Sequence, residues 1–357
     1  MGRWSAAARD YLESRFKLSG ALEFGRKKKV PEHRFSLWYY FGGLCLFLFF
    51  IQVATGILLL LYYTPSVDAA HESIVFIMSQ VKFGWLIRSV HSWTANILVG
   101  AIFIHMFSAF FLKAYRPPRE LTWISGFFLL LLFLAFGFSG YLLPWNELSF
   151  FATRVGTDIA GVVPLIGKAL KTFILGGPEV SGATLTRFFW LHVAVLPAIA
   201  LLIMGIHILL VQTLGMSRPM GVGPTKEISF FPDFILKDAL GWLVVLGIIG
   251  AICVFLPWEV GLKADPFAPT PLGIKPEWYF TFMFTTLKVV PGHVFSLEGE
   301  VLAVLLFMLG GLLWMFIPLI DRRAAKDRKS PVISVIGFLI VVYIAVMTAL
   351  TYLAPNL

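Results

Sequence analysis

The sequence predicts an all-α integral membrane fold: seven transmembrane helices, four forming an N-terminal bundle and three a C-terminal part. Three observations predict it. Of 357 residues, 58% are hydrophobic and only 14% charged, with a mean hydropathy of +0.83. No soluble domain of that size needs so much apolar surface, so the solvent is lipid. Seven apolar stretches, at 36–63, 84–112, 121–143, 186–213, 235–257, 299–320 and 331–353, are each long enough to cross about 30 Å of hydrocarbon. The connections between them also differ sharply in basic charge, which sets an orientation.

Residues 1–34, 113–120, 213–234 and 321–330 hold 19 Lys and Arg, whereas 64–83, 144–187, 258–298 and 354–357 hold 8. Lys and Arg are retained on the cytoplasmic, negative side, so the N-terminus is expected there. Seven crossings then bring the C-terminus to the positive side, in what is expected to be a bacterial cytoplasmic (inner) membrane. The net charge of +9 follows from topology and gives no reason to expect nucleic acid.

Residues 1–34 precede the first span, and no cleavable signal segment is expected there. Trp4 to Phe24 alternates apolar and charged residues at helical spacing. It is expected to lie along the membrane surface, with Arg26 to Lys29 near lipid headgroups. Residues 35–215 contain the four-helix bundle. Its first span carries Gly42 and Gly56, its second His91 and His105, and its third Gly126 and Gly140, each pair 14 residues apart. The fourth span carries His192 and His207, 15 apart, with Pro197 between them. Residues 216–357 supply the remaining three spans. The fifth opens near Asp238, and the connection to the sixth holds Pro276-Glu277-Trp278-Tyr279. Cys45 and Cys253 lie in apolar runs and are expected to be packing residues, not a disulfide or metal pair.

A titratable ring at membrane depth is expensive unless something pairs with it. The second and fourth spans run in the same direction, which levels His91 with His192 and His105 with His207. The two levels are separated by roughly 21 Å along each helix. Fourteen steps of 100° return about 40° short of the starting face and fifteen overshoot by about 60°, so both rings of a helix can face one neighbour if the fourth span bends. Pro197 offers a cause for such a bend. Structural zinc wants four ligands close together. Two imidazoles at each level instead suit axial ligation of haem. A lone histidine in a span is as often a hydrogen-bonding partner for a neighbouring helix, but four at matched heights argue against that reading. A planar macrocycle also needs helix faces without Cβ atoms, which the glycines supply at the same period. Arg88 and Arg187 on the positive side, with Lys113 and Arg119 on the negative side, could neutralise propionates. Each of these charges taken alone is more often a snorkelling interfacial residue.

Glu277 sits in an apolar, aromatic stretch, where a carboxylate has a raised pKa. Such a group could accept a proton from a bound hydroquinone, with Tyr279 positioning the ring or hydroxyl. Glu277 could equally pair with a neighbour such as Lys275 or Lys288.

Taken together, Val53-Ala54-Thr55-Gly56, Gly84 to His91, Pro118 to Trp123, Gly140-Tyr141 with Leu143-Pro144-Trp145, Thr184 to Arg187, and Asp265-Pro266-Phe267 leading to Pro276-Glu277-Trp278-Tyr279 resemble cytochrome b of the Rieske/cytochrome b complexes, over nearly the whole chain. The resemblance implies two non-covalent b haems, with His91 and His192 holding the positive-side iron and His105 and His207 the negative-side iron. It implies quinol oxidation around Glu277, Pro276, Trp278, residues 140–160 and the end of the third span. One electron would pass to a Rieske iron–sulfur protein and on to a c-type cytochrome. The other would cross the membrane through the haems to a quinone, with protons released and taken up on opposite sides. A homodimeric complex in contact with membrane lipids is implied as well.

The details mix branches of that family. The 15-residue step resembles the chloroplast type and related bacterial proteins, where the mitochondrial type has 14. Residues 1–215 resemble the four-helix subunit of the chloroplast-type complex and the remainder its three-helix subunit, here in one chain with no eighth span. The chloroplast-type cysteine that anchors an extra haem aligns with Tyr40, and Cys45 lies beyond it, so a covalent third haem is not expected. Phe234 to Gly241 resembles the mitochondrial-type quinone-reduction site, which makes Asp238 its main acid. The mitochondrial-type His partner is Gln212 here, which can hydrogen-bond a quinone carbonyl but cannot deliver a proton at neutral pH. Asp238 could also serve only the helix dipole. His33, His71 and His293 lie near span ends or in connections and are assigned no ligand role.

Two other readings compete. A di-haem membrane anchor of a dehydrogenase or hydrogenase would have the paired histidines but no reason for Pro276 to Tyr279. A transporter using buried histidines as proton relays would be colourless.

Overall fold

Backbone surrounded by lipid must satisfy its own hydrogen bonds, and the apolar runs accordingly form helices. In the computed structural model, which describes residues 3–223, 226–271 and 273–354, two helices cover the N-terminal segment, α1 (Arg3–Phe16) and α2 (Leu18–Lys27). They meet at Lys17, whose φ of 48° interrupts the helix. The surface-lying reading of this segment rests partly on the side chains of Trp4 and Phe24, which lie outside the described residues. Strands β1 (Lys29–Glu32) and β2 (Lys226–Ser229) then pair antiparallel, Lys29 opposite Ser229. This pairing ties the basic segment to the connection before the fifth span.

The bundle follows. It consists of α3 (Tyr40–Leu60), the short α4 (Ala70–Ser79), α5 (Gly84–Phe111), α6 (Glu120–Leu142), α7 (Glu147–Gly161), α8 (Gly167–Leu175), α9 (Gly182–Trp190) and α10 (Leu196–Leu214). Beyond it come α11 (Ile235–Phe255), α12 (Trp278–Val289), α13 (Gly299–Met315), α14 (Ile317–Ile320) and α15 (Pro331–Leu353). Leu48 and Phe49 of α3 pack with Leu98 and Ile102 of α5, Leu129 and Phe133 of α6, and Met204 of α10. Ile249 and Cys253 of α11 join the same cluster, so a helix of the C-terminal part shares the bundle core. Both cysteines are free thiols packed in or against that cluster.

Among the described residues, six stretches are long and apolar enough to cross a membrane: Ser36–Leu60, Gly84–Phe111, Glu120–Leu142, Gly182–Leu214, Phe230–Phe255 and Pro331–Leu353. The expected sixth span differs. Its helix α13 has 17 residues, which rise about 26 Å, and breaks at Phe316 before resuming as α14. Pro318 has no N–H to return to the carbonyl four residues earlier. That carbonyl, of Trp314, accepts the Trp123 indole N–H at 3.0 Å instead.

After the third span, Asn146 caps α7 with reciprocal bonds to Ser149, 2.9 Å from Ser149 N–H to Asn146 Oδ1. Its amide also donates to the Val260 carbonyl at 2.7 Å, and Ala264 N–H donates to Trp145 O at 3.0 Å. The connection between α11 and α12 is thereby laid across the end of α6.

Candidate functional site

Helix α5 packs against α3 and α10 against α6, and the histidines of the second and fourth spans meet between them in two pairs. The rings of His91 and His192 face each other with centroids 6.4 Å apart and planes 71° apart. With metal–nitrogen bonds of about 2.0 Å and about 1.2 Å from each nitrogen to its ring centre, two imidazoles sharing one ion have centroids about 6.4 Å apart. This spacing fits a bis-imidazole iron. His105 and His207 line one cavity of about 400 Å³ together with Gly42 and Gly126. Among the described residues, no three His, Cys, Asp or Glu side chains converge on one point. The candidate ligands are two imidazoles at each level.

His192 lies within a π-helical turn, Leu191–Val195, where Leu196 N–H reaches back five residues to Leu191 O. One extra residue is absorbed there, so a 15-residue step between His192 and His207 presents both rings to the same side. The expected bend is therefore a π-turn, and Pro197, at the start of α10, is its physical cause. Lacking an N–H and clashing with the carbonyl four residues back, it stops the α register from continuing.

All four glycines lie against these rings. A Cβ would stand 3.3 Å from His91 Cε1 at Gly56, 3.2 Å from His105 Cε1 at Gly42, 3.1 Å from His207 Cε1 at Gly126 and 2.6 Å from His192 Cε1 at Gly140. Three rings also meet a hydroxyl. Thr55 Oγ1 is 2.9 Å from His91 Nδ1, Ser139 Oγ 3.1 Å from His192 Nδ1, and Ser125 Oγ 3.0 Å from His207 Nδ1. Nδ1 being so engaged, Nε2 is the nitrogen left for a metal. Helix faces without Cβ atoms and rings held through Nδ1 fit haem.

Glu277 is half-buried at the N-terminal end of α12, and burial pushes its carboxyl up to about 7. Tyr141, Tyr279 and Tyr352 lie within electrostatic reach of it. Tyr279 is buried with its hydroxyl against Gly137, where a Cβ would come within 2.2 Å. The Trp278 indole N–H donates to Asn96 Oδ1 at 3.0 Å. The motif is therefore anchored on α5 and α6, following Pro276.

At the other end of the bundle, the cavity lined by His105 and His207 is also lined by Arg119, Gln212 and Asp238. Asp238 is buried, and its carboxylate occupies the space that a Cβ on Gly43 would need, 2.0 Å from Oδ2. Lys28 Nζ donates to Gln212 Oε1 and, at 3.1 Å, to the Gln212 carbonyl. The side-chain oxygen of Gln212 is thereby occupied, leaving its NH₂ as the free donor.

Two family models match this chain: "Cytochrome b/b6/petB" over residues 26–215 and "Cytochrome b(C-terminal)/b6/petD" over 263–356. The chain belongs to the cytochrome b family. It is 49% identical over 352 residues to "Cytochrome bc complex cytochrome b subunit" of Chlorobaculum thiosulfatiphilum, covering 97% of this chain and 81% of the relative. It is 31% identical over 360 residues to "Cytochrome b" of Allochromatium vinosum, covering 94% and 86% respectively. Among solved structures it resembles "Hyperthermophilic respiratory Complex III" with a TM-score of 0.86 and 30% identity, over 97% of this chain and 92% of that one.

Within this cytochrome b, the basic residues expected near propionates are already engaged. Arg88 is buried and donates from Nη1 to Trp258 O at 2.7 Å and from Nη2 to Glu259 O at 3.0 Å. It therefore clamps the α11–α12 connection. Arg119 donates to the Leu214 carbonyl at 2.9 Å while lining the cavity. Arg187 donates to Phe173 O and packs on Gly176. Lys113 is buried 3.7 Å from Asp321 of the sixth–seventh connection. The sequence placed Lys28 only among basic residues near lipid headgroups, and assigned Thr55, Ser125 and Ser139 no role at the rings. Lys28 carried no signal beyond basic charge. The three hydroxyl residues did carry one, because each directly precedes a ring-facing glycine.

Proposed function

We propose that this cytochrome b is the haem-bearing, quinone-reacting subunit of a Rieske/cytochrome b complex, holding two non-covalent b haems in a seven-span bundle. The observation that carries it is the pair of facing imidazoles, His91 and His192, at a separation that suits one iron, with a second pair lining a cavity at the other level. His91 and His192 would hold the positive-side haem, His105 and His207 the negative-side one. When bound, such haems supply one-electron carriers on the two sides of the membrane. α13 together with α14 would form the sixth of the seven crossings, the N-terminus lying on the negative side and the C-terminus on the positive side.

The protein's own groups do the binding and proton work. Glu277, poised as a base near neutral pH, accepts a proton from a quinol hydroxyl on the positive side, and Tyr279 and Trp278 shape the ring's site with Pro276. One electron goes to a Rieske iron–sulfur protein and a c-type cytochrome, the other across to a quinone beside Asp238 and Gln212. Opposite proton release and uptake make the reaction proton-translocating. Arg119 is the basic residue best placed to meet a propionate, since it lines the same cavity as the His105–His207 pair.

Reduced-minus-oxidised spectra of the purified complex test this reading. Two b-type haems, both removed by acid–acetone, are expected; one haem or none overturns it.

A further inference from the structure

Three of the four ring-facing glycines are preceded by a hydroxyl residue: Thr55-Gly56, Ser125-Gly126 and Ser139-Gly140. The fourth is preceded by Phe41. Each hydroxyl has its own proton committed to a carbonyl of its helix: Thr55 to Ile51 O at 2.7 Å, Ser125 to Thr122 O at 3.0 Å and Ser139 to Phe136 O at 3.3 Å. Toward the imidazole, therefore, each oxygen can only accept. This assigns the ring proton to Nδ1 and the lone pair to Nε2 in His91, His207 and His192. The Nδ1 of His105 is buried and has no hydrogen-bond partner among the described residues.

The two halves of α3 make the comparison internal. Gly56 meets His91 Cε1 at 3.3 Å and Gly42 meets His105 Cε1 at 3.2 Å, so both rings approach the same helix through Cε1, 14 residues apart. Position 41 is thus the counterpart of position 55. What differs is the side chain: Thr55 accepts from its ring, whereas Phe41 stacks on Trp38 at 5.7 Å. An acceptor on Nδ1–H makes an imidazole a stronger electron donor to its metal, and a stronger donor favours the oxidised metal.

We propose that Thr55, Ser125 and Ser139 are positioning residues that fix ligand tautomer and strengthen three of the four ligands. Phe41 leaves His105 as the weak one. The negative-side pair is then asymmetric, and its iron is held at a higher potential than two equally strengthened ligands would give. This rests on the haem reading above.

The test is a redox titration of both b haems in the purified complex, with electron paramagnetic resonance of the oxidised form. F41S supplies the missing acceptor and is expected to lower the negative-side midpoint potential, leaving the positive-side one unmoved. S125A should raise the negative-side midpoint and T55A the positive-side one, while S125T, which keeps the hydroxyl, should titrate as the parent does. If F41S does not assemble, the two alanine variants decide. Midpoints that stay in place in T55A and S125A with both haems bound overturn the proposal. A parent complex without two b haems overturns the haem reading instead.

Discussion

Gly140 and His192 form the tightest of the four glycine–ring contacts, with space for a Cβ ending 2.6 Å from Cε1. Both partners sit on helices packed into one bundle, so neither backbone can retreat without repacking its neighbours. Overpacking of this kind costs about 1–3 kcal/mol. G140A is expected to lose positive-side haem, whereas G56A, with 3.3 Å available, should retain most of it. Haem per polypeptide, measured on the two purified variants, checks the ranking. Equal occupancy in both would argue against it.

The carboxyl of Glu277, pushed up to about 7, is protonated below that pH and becomes a competent base above it. Quinol oxidation should therefore rise as pH passes upward through about 7. In E277Q this limb should vanish and the rate fall by about 10²–10⁴, the usual contribution of a general base. Steady-state rates from pH 5.5 to about 8.5, with haem spectra recorded alongside, separate loss of the base from loss of the cofactor.

Arg88 holds two consecutive carbonyls, those of Trp258 and Glu259. Hydrogen bonds from a charged group contribute about 1.5–3 kcal/mol each. R88A should loosen the connection that leads to Glu277, making residues 256–277 more susceptible to limited proteolysis and slowing quinol oxidation. R88K keeps the charge but not the fork, and should fall between the two.

Lys28 binds Gln212 beside the cavity that also contains Asp238, and burial lowers its ammonium pKa. K28M frees the Gln212 oxygen and removes a charge from that end. Reoxidation of the pre-reduced complex by added quinone should slow several-fold, with quinol oxidation at Glu277 unaffected under single-turnover conditions. An unchanged reoxidation rate would remove Lys28 from the site.

Much of this site can be read along the chain, because lipid makes composition decisive. A buried histidine needs a partner, a long apolar run must be a helix, and basic connections report orientation. His91, His105, His192, His207 and the four glycines follow from such local rules, as does the raised pKa of Glu277. The sequence by itself therefore determined which histidines pair and which glycines face them. Only the tertiary structure decided how. Pro197 marks an interruption in the fourth span, but that it takes the form of a π-turn at Leu191–Val195, turning a 15-residue step into a same-face pair, is seen only in the backbone hydrogen bonds of the fold. Contacts between Lys28 and Gln212, or between Arg88 and the 258–259 carbonyls, join residues 170 or more positions apart. Their partners are set by how the helices pack, since a side chain's hydrogen bond goes to whatever acceptor the fold brings within reach. The same holds for Phe41: its place before Gly42 is visible in the sequence, but that it leaves His105 unpartnered appears only when α3 meets α5.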